Sequence, residues 1–126
     1  MERTPKLITA LSAVAETTAS AGIDITDAKK VTLIFTRASH GSGNHVFTVT
    51  GSINGISGTY VACNKLIKNI ANAISEGITR VASITLSANG SELVSLDLEH
   101  DGFTHIKITA TETTDGTATA SVLVQY

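Results

Sequence analysis

Three glycines lie within eight residues in the stretch FTVTGSINGISGTY, residues 47–60, and a glycine-rich loop is one way to bind a phosphate. Gly51, Gly55 and Gly58 have the spacing G-x3-G-x2-G, which matches neither the dinucleotide-binding pattern nor the P-loop. They also stand between two predicted strands, whereas a phosphate loop leads into the N-terminus of a helix. We therefore interpret Asn54-Gly55 as a hairpin turn.

Four histidines form two pairs with equal spacing, His40 with His45 and His100 with His105. A zinc site needs three or four ligands on a shared face. Each pair spans the boundary between a predicted strand and a predicted loop, so the members of a pair do not share a helix face. We interpret all four as polar surface histidines and assign no metal ligand.

The acidic residues Asp97, Glu99 and Asp101 resemble a calcium loop, but they lack the further ligands and the terminal Glu of an EF-hand. In a strand, Asp97 and Glu99 share one face, which we expect to be solvated. The single cysteine, Cys63, fits a small buried apolar residue. No nucleophile elbow is present, so we assign no catalytic residue and no cofactor, and we expect a protein that is not an enzyme.

Charge and hydropathy argue against two classes of partner. The 126 residues carry a formal net charge of -2, with acidic and basic residues interspersed, which provides no field to attract nucleic acid or an anionic membrane. No apolar run approaches the roughly 20 residues of a membrane-spanning helix. The opening MERTPKLITA does not resemble a signal peptide, so we expect synthesis in a cytoplasm. The length fits one domain, residues 1–126.

The C-terminal half has the clearest organisation. Asn89-Gly90, Asp101-Gly102 and Asp115-Gly116 are turn signals, because Asn or Asp before Gly tolerates the positive φ angles of a tight hairpin. Between them, apolar and polar residues alternate with the period of a strand. The apolar positions are Ala82, Ile84 and Leu86, then Val94, Leu96 and Leu98, then Ile106, Ile108 and Ala110, then Ala118, Ala120, Val122 and Val124. This pattern predicts a four-stranded meander.

The N-terminal half adds further strands. Val31, Leu33 and Phe35 alternate with polar residues, as do Phe47, Val49 and Ile53, and the segments LITALSAV and GIDIT have a weaker strand pattern. About eight short strands predict an all-β fold, because two antiparallel sheets packed as a β-sandwich bury one face of each strand. A jelly-roll and an immunoglobulin-like arrangement both fit this pattern.

Residues 64–77, NKLIKNIANAISEG, leave two interpretations open. The apolar residues fall on one helical face, Asn64 is a suitable N-cap and Gly77 a suitable C-cap, which indicates a short helix near 65–76. The repeated Asn and the preceding strand TYVAC equally fit an extended segment that runs into a loop.

Three apolar residues occupy positions that the alternation places outside the core. If Val31, Leu33 and Phe35 face inward, Ile34 faces outward, and the same phase places Leu93 and Leu123 on the outer surface. Isolated exposed apolar residues are ordinary, but a cluster marks a partner surface. Ile34, Leu93 and Leu123 are therefore our candidate interface residues.

Several stretches resemble, in their order and spacing, small structural proteins encoded in gene clusters of tailed viruses, mostly of bacteria. They extend from about Lys29 to Tyr126 and are KKVTLIFTRASHGSG, GSINGISGTYVACNKLIKNIAN, TRVASITLSANGSELVSLDLEHDGF and TATETTDGTATASVLVQY. The chain departs from the family pattern by the extra glycines Gly55 and Gly58 and by the stretch Ile74-Ser75-Glu76. The resemblance transfers no catalytic residues.

The resemblance implies a non-enzymatic virion protein, either a decoration of the head or a tail-associated subunit. Its expected partners are copies of itself and other virion proteins, such as major capsid or tail subunits, with neither nucleic acid nor membrane. A ligand-binding or glycan-binding β-sandwich module, with a site near residues 40–44, is the alternative hypothesis.

Overall fold

The computed structural model describes residues 3–68, 79–98 and 102–126, and it confirms an antiparallel β-sandwich. Twelve strands run in chain order: β1 (Lys6–Val14), β2 (Thr18–Ala19), β3 (Ile23–Asp24), β4 (Lys30–Ala38), β5 (His45–Ser52), β6 (Val61–Cys63), β7 (Leu66–Lys68), β8 (Thr79–Val81), β9 (Ile84–Leu86), β10 (Gly90–Leu96), β11 (His105–Glu112) and β12 (Thr117–Gln125). Several strands are only two or three residues long. Such strands are too short to show an alternation, so the sequence pattern indicated fewer strands.

The strands form two six-stranded sheets. The first sheet has the order β1-β12-β4-β10-β7-β8. The second has β11 and β5 at its centre, with β2 and β3 both paired to the outer side of β11 and β6 and β9 both paired to the outer side of β5. Strands β1 and β8 are therefore the edges of the first sheet.

The core lies between the inner faces of the sheets, where the predicted alternation is largely confirmed. Phe35 of the first sheet stacks on Phe47 of the second, with ring centroids 4.6 Å apart. The predicted inward residues of β4, β11 and β12 all have zero exposure. Ile53 is an exception, because β5 ends at Ser52 and Ile53 lies in the following loop with 75% of its surface exposed.

The predicted C-terminal meander is wrong. β9 and β11 belong to the second sheet, whereas β10 and β12 belong to the first, so successive strands cross between the sheets and do not pair. The predicted turns at residues 89–90 and 115–116 lie in such crossings. Asp101, which begins the third predicted turn, is outside the described residues. The turn residues reverse the chain direction, but long-range packing decides whether the next strand joins the same sheet.

One predicted hairpin does join two paired strands. β5 and β6 are antiparallel neighbours, with Val49 opposite Cys63 and Gly51 opposite Val61. The connection is an eight-residue loop, residues 53–60, that contains the predicted Asn54-Gly55 turn.

The extended interpretation holds for the start of the ambiguous segment. Leu66–Lys68 forms β7, with Leu66 opposite Leu96 of β10 and opposite Val81 of β8, and Leu66 is fully buried. A helix there would remove these two ladders of backbone hydrogen bonds. The rest of the predicted helix, residues 69–76, lies outside the described residues.

Candidate functional site

The outer face of the first sheet brings the predicted interface residues together. Leu93 of β10 lies directly opposite Ile34 of β4, and Ile34 lies opposite Ser121 of β12. Leu123 follows two residues after Ser121, so it is the diagonal neighbour of Ile34 on the same face. Such diagonal neighbours are about 7–8 Å apart, within reach of long side chains.

A fourth residue extends this row to the edge of the sheet. Leu7 of β1 lies opposite Leu123 and is 74% exposed. Ile34 and Leu93 are 42% and 40% exposed, and Leu123 is half-buried between its neighbours. We call Leu7, Leu123, Ile34 and Leu93 the apolar stripe. It crosses four consecutive strands of the sheet diagonally.

Small hydroxyl side chains flank the apolar stripe, and Lys30 is the second diagonal neighbour of Leu123 on the same face. Thr32 lies opposite Leu123, Ser121 opposite Ile34, and Thr9 opposite Ser121, all facing outward by the register. A partner that covers the stripe and these hydroxyl residues would bury mainly aliphatic carbon and hydroxyl groups, with Lys30 beside the contact. The cores of protein interfaces are similarly poor in charged residues.

The glycine-rich loop, residues 53–60, is a second exposed apolar surface. Ile53 and Ile56 are 75% and 61% exposed. The loop begins and ends in the second sheet, at β5 and β6, whereas the apolar stripe lies on the outer face of the first. It therefore occupies a different part of the molecule.

Hydrogen bonds hold this loop in one conformation. Asn54 Oδ1 accepts from the backbone N–H of Ile56 and from the hydroxyl of Thr59, at 3.0 and 2.9 Å. The hydroxyl of Ser52 accepts from the backbone N–H of Gly55 at 3.0 Å. Gly55 and Gly58 have φ angles of +74° and +87°, which other residues rarely adopt. The glycines thus shape a hairpin loop, as the sequence indicated.

A buried arginine forms a polar cluster that the sequence analysis missed. Arg37 is 1% exposed, and its guanidinium donates to Nδ1 of His40, to Nδ1 of His45 and to the backbone carbonyl of Ser42. Its Nη2 also lies 3.6 Å from Asp115 Oδ1. Arg37 follows Phe35 by two positions, so the alternation itself placed it inward.

Asp115 ties the cluster to the surface loop. Its Oδ1 accepts from the backbone N–H groups of Gly41 and Ser42, at 2.9 and 3.0 Å. These two hydrogen bonds, with the positive charge of Arg37, hold the pKa of the Asp115 carboxyl below its usual value. The loop at residues 40–44 is therefore fixed to the turn between β11 and β12.

His45 is buried, so its predicted position on the surface is wrong. Burial lowers its pKa most, and the neighbouring Arg37 charge lowers it further, against a smaller opposite effect of Glu112. Because Nδ1 accepts from Arg37, the neutral ring carries its proton on Nε2, which is buried and has no hydrogen-bond partner among the described residues. His40 and His45 therefore both contact the guanidinium of Arg37.

The other predicted polar sites have separate environments. His105 lies beneath Gly55 and its Nδ1 is 2.9 Å from the hydroxyl of Thr104, and His100 is outside the described residues. Asp97 is 5% exposed and accepts from Arg80 Nε at 3.0 Å, so its predicted solvated position is wrong. It follows the end of β10 at Leu96, where the alternation stops. Glu99 and Asp101 are outside the described residues.

Cys63 is buried, as expected. Within residues 3–68, 79–98 and 102–126, no group of three or more His, Cys, Asp or Glu side chains is arranged to hold a metal ion. The same ranges include no helix long and apolar enough to cross a membrane.

Comparison with known proteins identifies a similar fold. No protein-family model matches the sequence, and no curated protein matches it. Among solved structures, the SPBc2 prophage-derived protein YomS has a TM-score of 0.66 with this chain, at 13% sequence identity, over 97% of this chain and 94% of that one. At this identity the likeness shows a shared fold, and the protein that shares it is of prophage origin.

Proposed function

We propose that this protein is a non-enzymatic structural subunit of a tailed-virus particle. It is made in the host cytoplasm and incorporated into the virion, where it decorates or stabilises the head or forms part of the tail. Its partners are copies of itself and other virion proteins, such as major capsid or tail subunits. Neither nucleic acid nor a membrane is among them.

The observation that carries this proposal is the apolar stripe. Leu7, Leu123, Ile34 and Leu93 come from four different strands, yet the register places them in one row on the outer face of the first sheet. Exposed apolar patches larger than the few hundred Å² usual on monomers mark contacts with other macromolecules, and we propose that the stripe belongs to such a surface. The fold shared with a prophage-derived protein, and the sequence resemblance to virion proteins, support a phage particle as the place of that contact.

The alternative, a ligand-binding or glycan-binding module, has less support. Its expected site was the loop at residues 40–44. There the Arg37 guanidinium donates to the Ser42 carbonyl, and the Gly41 and Ser42 N–H groups donate to Asp115. These polar groups are engaged within the protein, which leaves fewer of them to bind a sugar.

The test is the state of the purified protein in solution and on particles. We expect size-exclusion chromatography with light scattering to show a mass that rises with concentration, and negative-stain images to show rings, tubes or discrete multimers. Binding to phage particles that lack the protein is the second arm. A monomer at every concentration that also fails to bind such particles would contradict the proposal.

A further inference from the structure

We propose that the Arg37–His45 contact is a pH-sensitive closure, in which the guanidinium holds one end of the sandwich together at neutral pH and is displaced when His45 takes up a proton. Mild acid then opens this end locally, where β4 finishes and β5 begins, while the rest of the fold is retained. The proposed structural role neither requires nor excludes such an opening.

The contact fixes the position of the proton on His45. An arginine side chain only donates hydrogen bonds, so the His45 Nδ1 that meets Arg37 Nη1 must be an acceptor. A neutral imidazole has one acceptor nitrogen, and Nε2 therefore carries the proton. The lone pair that could bind a further proton is already occupied by the guanidinium. Proton uptake by His45 thus requires Arg37 to leave this contact.

Burial makes a protonated His45 incompatible with the closed arrangement. Arg37 and His45 are 1% and 0% exposed. A proton on His45 would place two positive charges in contact, away from water, where repulsion is strong and hydration is lost. The buried Nε2 of His45 has no hydrogen-bond partner among the described residues that could compensate. Burial first, and then the Arg37 charge, lower the pKa of His45 in the closed state.

The strands beside β5 place one charged residue next to His45. Glu112 of β11 lies opposite His45 in the register, and its negative charge raises the pKa of the ring, but this effect is the smallest of the three. On the other side, β9 places the apolar Leu86 opposite His45. The positive charge of Arg37 therefore outweighs the charge of Glu112.

Two groups of the adjoining loops face the guanidinium. Nδ1 of His40 accepts from Arg37 Nε at 3.1 Å, so a proton at that nitrogen would displace the same guanidinium. Asp115 Oδ1 lies 3.6 Å from Arg37 Nη2, and backbone hydrogen bonds, more than the nearby charges, lower the pKa of its carboxyl. Because Asp115 stays ionised in mild acid and its side chain is 47% exposed, it offers the displaced Arg37 a partner at the surface.

The open end binds a proton that the closed end excludes. Once His45 is separated from Arg37 and reaches water, its pKa returns to the ordinary 6.5. Below that pH the open state binds more protons than the closed state, so opening becomes more favourable by up to about tenfold for each pH unit.

The experiment follows the Nε–H proton of Arg37 by NMR, at a concentration where the protein is monomeric. Its exchange with water, divided by that of the exposed Arg3, measures how often the contact opens, because both side chains share the same intrinsic dependence on pH. Backbone amides of β12 report opening of the whole sandwich. His45→Gln keeps an acceptor but does not titrate, and His105→Gln is the matched control, since Nδ1 of His105 contacts Thr104.

We expect the ratio of the Arg37 and Arg3 exchange rates to rise at least about tenfold from pH 7.5 to pH 5 in wild type and in His105→Gln, while β12 stays protected. His45→Gln should remove most of this rise. The nitrogen chemical shifts of the His45 ring should show a proton on Nε2 alone at pH 7.5.

The closure is ruled out if the exchange ratio of wild type does not rise in acid, or if His45→Gln shows the same rise. An equal loss of protection in β12 would also overturn it, because the opening would then be unfolding of the whole sandwich. Should His45→Gln fail to fold, wild type still decides, since a proton on His45 Nδ1 at pH 7.5 excludes the contact with Arg37.

Discussion

Arg37 connects separate segments of the chain through one buried guanidinium. It reaches His40 and Ser42 in the loop after β4, His45 at the start of β5, and Asp115 in the turn before β12. A buried charge is costly unless hydrogen bonds compensate for its desolvation, and this network supplies them. Arg37 therefore stabilises the fold and holds these segments together at one end of the sandwich.

Replacing this arginine tests that role. Arg37→Met keeps the apolar volume but leaves the buried Nδ1 of His45 without its donor, at about 1–3 kcal/mol, and removes the contacts to His40, Ser42 and Asp115. We expect a large fall in the free energy of unfolding measured with urea. Arg3→Met is the matched control, since Arg3 pairs with Asp27 at 3.6 Å on the exposed surface and such pairs contribute about 0–1 kcal/mol. Equal effects of the two substitutions would contradict the network's importance.

His45 predicts how stability depends on pH. Its pKa is lowered in the folded state from the usual 6.5, so the unfolded chain binds more protons as the pH falls below that value, and stability falls with it. The carboxyls of Asp24 and Asp115, whose pKa values are lowered from 3.8, add stability that is lost only in stronger acid. The loss of stability between about pH 6.5 and 4 therefore reports the protonation of His45 in the unfolded chain.

We expect the urea midpoint of wild type to fall between pH 7.5 and pH 5, and His45→Gln to reduce that slope. Glutamine is polar but does not titrate. A loss of packing would lower the urea midpoint equally at every pH, whereas loss of the His45 ionisation changes the dependence of the midpoint on pH. A variant with the same pH dependence as wild type would show that another group is responsible.

At the scale of the element, the residue 53–60 loop illustrates how backbone conformation is encoded. Gly58 has open space around it but a φ angle of +87°, so a methyl group added there meets no neighbour and yet strains the backbone. Gly102 also has open space, without a positive φ.

We expect Gly58→Ala to lower the free energy of unfolding by about 1–2 kcal/mol, the usual cost of left-handed backbone in an L-residue. Gly102→Ala should change it by less, because only Gly58 requires that conformation. Thermal unfolding of both variants measures the difference, and a Gly102→Ala effect as large as that of Gly58→Ala would contradict the conformational argument.

The same scale shows what the sequence could and could not predict. Period-two alternation located β4, β11 and β12 and their buried faces, because one side of each strand must be apolar. It did not show which strands pair, since a crossing between sheets and a hairpin begin with the same Asn-Gly or Asp-Gly turn. Nor did it distinguish β7 from a helix, because a three-residue strand is too short to display a period.

At the scale of the whole molecule, the candidate site was predicted in part. Ile34, Leu93 and Leu123 were identified by their outward phase. Their adjacency, and the contribution of Leu7, required the register of three strand pairs, which long-range packing sets. The buried Arg37 cluster was missed because a charged residue within an apolar alternation is usually assigned to the surface.

The proposed structural role requires the apolar stripe to be an assembly surface. The most direct test is sedimentation velocity of wild type, Leu93→Asp and Thr85→Asp over a concentration series, with Thr85, an exposed position of β9 in the second sheet, as the matched control. We predict that wild type and Thr85→Asp form larger species as concentration rises, whereas Leu93→Asp remains a folded monomer. Assembly by Leu93→Asp that equals wild type would contradict a role of the stripe in assembly, because Leu93 lies directly opposite Ile34 within it.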